Sequence, residues 1–114
     1  MKRIQEILVS AASGTAFDLQ LEEDDAGLFS PTGIMTNKRN EAKEWVHLLP
    51  KSKAQTPQLA FENLAQGLKA FCERYGDSIL FVDNPNNTEL LSRDEQEAIL
   101  KAHGIGAKVK VNGA

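Results

Sequence analysis

Asp83 is the side chain of this 114-residue sequence best placed to do chemistry. It follows the apolar run Ser78-Ile79-Leu80-Phe81-Val82, and open α/β sheets gather ligand and catalytic groups at the carboxyl ends of buried strands. A carboxylate there can hold a metal or act as a base. The simpler reading is a turn: Asp83-Asn84-Pro85-Asn86-Asn87 sets four Asx residues around one proline, and Asx side chains bond their own backbone in turns.

The other candidate constellations are weaker. Asp24, Asp25 and then Glu41-Ala42-Lys43 have the residue types of a metal-dependent nuclease site, which needs its Glu-x-Lys on a strand. In a helix-like segment the two side chains diverge. Glu22-Glu23-Asp24-Asp25 lacks the alternating ligands and turn glycine of a calcium loop. Gly104-Ile105-Gly106 follows a helix and enters a strand, reversing the order that aims helix amides at phosphate. His47 and His103 have no cysteine or second histidine at ligand spacing, and no Gly-x-Ser-x-Gly occurs. The reading is therefore non-enzymatic, with no cofactor and no metal.

Binding residues are easier to nominate than catalytic ones. Lys38, Arg39, Lys43, His47, Lys51 and Lys53 form a basic segment, and Arg39, Lys43 and His47 recur every four residues beside Trp45. Such a stripe with an indole can contact phosphates and stack a base, or grip an acidic protein. Glu41 and Glu44 dilute it, as on an ordinary solvated face. The punctuated segment 26–38 carries Leu28, Phe29, Ile34 and Met35 without a clear period. These side chains either tuck under the domain or await a partner.

About three strands and three to four helices must position these groups. Thr56 as N-cap, Pro57 at the first helical position and Gly76 as left-handed C-cap delimit a helix over 57–75. Its apolar face holds Phe61, Leu64, Ala65, Leu68, Phe71, Cys72 and Tyr75. Ser92 and Glu95 form a capping-box signature for a helix over 93–102. Ile4, Ile7, Leu8 and Ala11 suggest a helix over 2–12, with a strand over 4–9 as the alternative; Ala42, Trp45, Val46 and Leu49 suggest another over 40–49. Alternation marks one-sided strands at 15–22 and 105–111, whereas 78–82 is apolar on both faces and should be central. Segment 26–38 reads as an extended loop, with a short strand around Ile34-Met35 as a variant. The expected fold is a small α+β sandwich, one domain over 1–114, with a parallel crossover between 78–82 and 105–111.

Composition sets outer bounds. A formal net charge of -3 argues against a surface that coats nucleic acid or anionic membrane throughout. No apolar run approaches the roughly 20 residues needed to cross a bilayer. The single cysteine excludes an internal disulfide and fits a reducing, cytoplasmic setting. Cys72 falls on an apolar helix face, as a structural thiol does. These features point to a protein-interaction or regulatory module, an accessory, inhibitor or adaptor protein of bacterial or phage type, with another protein or a second copy as partner. A nucleic-acid binder using residues 38–53 is the alternative, and a small enzyme or ligand binder centred on Asp83 the second.

Overall fold

The computed structural model describes residues 2–36, 41–45, 53–85 and 91–111. In chain order the elements are β1 (Lys2–Ala11), β2 (Ala16–Glu23), β3 (Phe29–Thr36), β4 (Lys43–Trp45), α1 (Pro57–Tyr75), β5 (Ile79–Asn84), α2 (Arg93–Ala102) and β6 (Lys108–Val111). The strands make one sheet in the order β4-β3-β2-β1-β5-β6. All neighbours are antiparallel except β5 and β6, which run parallel with α2 as their crossover.

Among the described residues, six strands and two helices replace the expected three strands and three to four helices, although the fold remains α+β. The first difference is 2–12, which is strand. Gln5, Ile7, Val9 and Ala11 point inward while Glu6, Leu8 and Ser10 point outward, so the period is two. Ile7 and Ala11 satisfy both the strand and the helix pattern, and the buried polar Gln5 hides the alternation. Pairing of β1 with β2 across the Gly14 turn decides the matter. Segment 26–38 contains a full strand, β3, paired residue for residue with β2. Of the expected helix over 40–49, residues 43–45 form β4 against Ile34, Met35 and Thr36, and the rest apart from Glu41 and Ala42 lies outside the described residues.

The two helices occupy the ranges their caps define. Thr56 Oγ1 accepts from the Leu59 amide at 3.1 Å, and Gly76 closes α1 at φ 63°. Ser92 and Glu95 complete a reciprocal capping box on α2. Both helices cover the same sheet face. Between them and the sheet lie Ile7, Val9, Phe17, Leu19, Leu21, Leu64, Leu68, Val82, Leu100 and Val109, all buried. Gly33 permits a close approach of β3 to β2: a Cβ there would lie 2.3 Å from Leu19 Cδ2 and 2.8 Å from the Asp18 carbonyl.

β5 is covered on one face only, contrary to the expectation of double-sided burial. Its pairing with β1 steps by two residues, from Ile79 to Phe81, while β1 steps by one, from Ala11 to Ser10. This bulge turns both Leu80 and Phe81 to the uncovered side, between buried Ile79 and Val82. A continuous apolar run thus arises from a bulged one-sided strand. β6 lies at a sheet edge with Lys108 and Lys110 outward, as its alternation predicts, whereas the equally alternating β2 is interior.

Candidate functional site

Among the described residues no element covers the face of the sheet opposite the helices, and the register fixes what this open face displays. One row across all six strands reads Trp45, Ile34, Asp18, Leu8, Asp83, Lys110. The neighbouring row reads Lys43, Thr36, Ala16, Ser10, Phe81, Lys108. Four large apolar side chains here are solvent-exposed: Trp45 by 69%, Phe81 by 53%, Leu80 by 48% and Leu8 by 38%. They form two spots. Trp45 and Ile34 border a shallow hollow of about 130 Å³ with Asp18, Gln20 and Glu22. Leu80 and Phe81 lie four strands from Trp45, about 19 Å away at the usual strand spacing, and cluster with Leu8 on the adjoining β1, three strands from Trp45. The first spot has acidic neighbours, while the second has Lys108 opposite Phe81 and Lys110 opposite Asp83.

The residues nominated from sequence disperse. Trp45 and Lys43 stand on β4 and share the open face, joined there by Ile34. Phe29 and Met35 belong to β3 but face the other way, partly buried against the core. The Phe29 backbone also exchanges two hydrogen bonds with Ala54, each 2.7 Å. Arg39 and His47, with Lys38 and Lys51, lie outside the described residues. Lys43 belongs to a strand, so the four-residue helical spacing that defined the basic stripe does not hold there. Lys53 reaches back to Asp24, 2.6 Å from Nζ to Oδ2.

That pairing explains the acidic cluster. Asp24 Oδ1 accepts from the amides of Ala26 and Leu28 at 2.9 and 3.0 Å, forming the β2–β3 turn, with Gly27 at φ 78°. The Lys53 bond, reinforced by these two amides, holds the Asp24 carboxyl below its ordinary range. The nuclease arrangement fails on distance: Asp24 follows one end of the β2–β3 hairpin and Lys43 pairs at the other, about 23 Å along β3. Glu41 precedes β4 in the left-handed region at φ 57°. Among the described residues no three His, Cys, Asp or Glu side chains are grouped to hold a metal ion.

Asp83 sits within β5, one residue before its end, with Leu8 and Lys110 as register partners. It shares the exposed sheet face instead of opening the turn before Pro85. Cys72 is buried on α1, and burial, with a smaller contribution from the nearby Asp77 charge, pushes its thiol pKa up. A thiol so placed is a poor nucleophile.

The Leu80–Phe81 pair was missed by sequence reasoning because an apolar run carries no mark of a bulge. The only signal was length: five apolar or small residues in a row exceed what a strand covered on one face requires.

These features define a two-layer α+β protein whose sheet keeps one face open, with apolar and charged side chains on it. Comparison with protein-family models, with curated proteins and with solved structures finds no match in any of the three. Among the described residues no helix is long and apolar enough to cross a membrane.

Proposed function

We propose that this chain is a non-enzymatic docking module that binds another protein through the open face of its sheet. The bulge that brings Leu80 and Phe81 side by side beside Leu8 carries the reading. Exposing three large apolar side chains together has no benefit for an isolated fold, and clusters of this kind rimmed by charge mark interaction surfaces. Lys108 and Lys110 ask for carboxylates at one side of the partner's apolar centre. Asp18 and Glu22, near Trp45, ask for a basic group at the other. Aromatic anchors of this kind dominate binding energy in protein interfaces. The partner reading thus rests on Trp45 and Ile34 with the β5 residues, and no longer on Phe29 and Met35.

A photo-crosslinking side chain at position 81 tests this, with Gln66 on the outer surface of α1 as the control position. Discrete adducts from position 81 and none from position 66 are expected. Equal labelling from both, or none from 81, removes the reading. Sedimentation of the purified chain distinguishes a second copy from a different protein.

Phe81 beside Lys108 also supports a second reading, single-stranded nucleic acid stacked on the sheet. The carboxylates of Asp18 and Glu22 oppose it near Trp45. Electrophoretic retardation at low salt that disappears with added salt would favour it, and its loss in K108E/K110E would place it on this face.

A further inference from the structure

On the helix-covered side, at the corner where the β1–β2 turn, the β3–β4 edge and the end of α1 meet, lies a cavity of about 500 Å³. Met35, Phe71 and Tyr75 supply its apolar walls. The Phe71 and Tyr75 rings lean on one another at 4.7 Å between centres, and Phe71 meets buried Phe17 edge-on at 5.4 Å, which fixes that wall. Glu44, Asp77, Ser13 and Thr15 complete the lining.

Every polar group in this lining is an acceptor or can act as one. Ser13 Oγ donates to Asp77 Oδ2 at 2.5 Å and accepts from the Thr15 amide at 3.3 Å, with Thr15 Oγ1 3.0 Å away. Asp77 is fixed by two further bonds, from the Ser13 amide at 3.0 Å and the Ser78 amide at 2.9 Å. Burial alone would push its carboxyl pKa up, yet these hydrogen bonds outweigh that and hold it below the ordinary range. Glu44 stands on β4 across from Met35 and is exposed. The cavity also opens beside the last turn of α1, where the helix dipole presents its negative end. No lysine, arginine or histidine lines it among the described residues. The Arg74 guanidinium lies over the Tyr75 ring, 5.6 Å from its centre, and is outside the lining.

We infer that this cavity binds an organic cation, an ammonium group carried on an apolar stem, with the stem against Met35, Phe71 and Tyr75 and the charge between Glu44 and Asp77. Two carboxylates, with no cation in the lining among the described residues, favour positive charge. Apolar walls favour an alkyl stem over a bare metal ion. The volume suits a small molecule or one long basic side chain. The site is separate from the open sheet face, so failure of the docking reading leaves it standing.

The test is an amide-resolved NMR titration of the full chain with n-pentylammonium chloride, against n-pentanol as the uncharged stem of the same length. The amine should shift Ser13, Thr15, Tyr75 and Asp77 with a dissociation constant on the order of 1 mM, as expected for so small a ligand. Pentanol should bind at least about tenfold more weakly, and E44Q, at an exposed edge position, should weaken the amine by about fivefold. A lysine side chain blocked at its backbone, run in parallel, distinguishes a protein side chain from a free amine by which of the two binds more tightly. Equal binding of pentanol and amine, an unchanged amine affinity in E44Q, or no shift of these amides up to tens of millimolar amine overturns the assignment.

Discussion

The two faces of this sheet are built from the same strands and obey opposite rules. Along β2, Phe17, Leu19 and Leu21 are buried beneath α1, while Asp18 and Gln20, one residue away, stand on the open side. On the covered face, shape is the constraint: Gly33 leaves room for Leu19, and no larger residue fits. On the open face the constraint is absent, yet Trp45, Leu80 and Phe81 are kept there. Residues retained on the covered face are explained by packing. For those on the open face, the proposed docking role supplies the account that packing does not.

The largest effect expected is on the covered side. Leu68→Ala should lower unfolding free energy by about 2–5 kcal/mol, read from denaturant midpoints, because it opens a cavity between α1 and the sheet. A loss under about half a kcal/mol would mean that this face is not the core. Gly33→Ala should cost about 1–3 kcal/mol by overpacking, since the new methyl meets Leu19 and the Asp18 carbonyl.

Acid should act through Asp77. Its folded-state pKa is depressed, so its contribution is complete above the unfolded-state value of about 3.9 and disappears as pH falls through the lower folded value. Thermal scans of Asp77→Asn and the parent chain should therefore differ near neutrality and converge towards pH 2. A gap that stays constant with pH would assign Asp77 a packing role alone.

The smallest effect on stability belongs to the open face. Phe81→Ser should stay within about half a kcal/mol of the parent. The same variant in a crosslinking experiment read from position 80 should lose its adduct. A midpoint drop of several degrees would show that Phe81 is packed, and would erase the contrast between the faces.

What could be read in advance divides along the same line. Both helices are legible because their signals are local: Thr56, Pro57 and Gly76 mark α1, and Ser92 and Glu95 mark α2, whatever the rest of the chain does. The parallel crossover to β6 follows from the same markers. Strands β1 and β3 were legible only as alternatives, at 4–9 and around Ile34-Met35, and β4 not at all, because their period is set by pairing. In β1 a buried glutamine and an outward Leu8 blur the alternation; in β3, Pro31 and Gly33 resemble loop punctuation although each has a β2 partner. The open-face site shares this difficulty. It assembles from all six described strands, and no single stretch of sequence contains it.

β1 also sets the order in which the molecule can assemble. On one side Leu8 pairs with Asp18, a neighbour across a short turn; on the other it pairs with Asp83, for which most of the chain must first be brought round. The hairpin forms by closing a few residues, whereas the second pairing waits on a long loop closure. In that interval the strands β1 to β3 hold their core residues towards water, and β1 offers an unpaired edge that a second unfolded chain can occupy as readily as β5 can. Refolding yield should therefore fall as concentration rises, and the seam at β1 is where two chains would exchange strands.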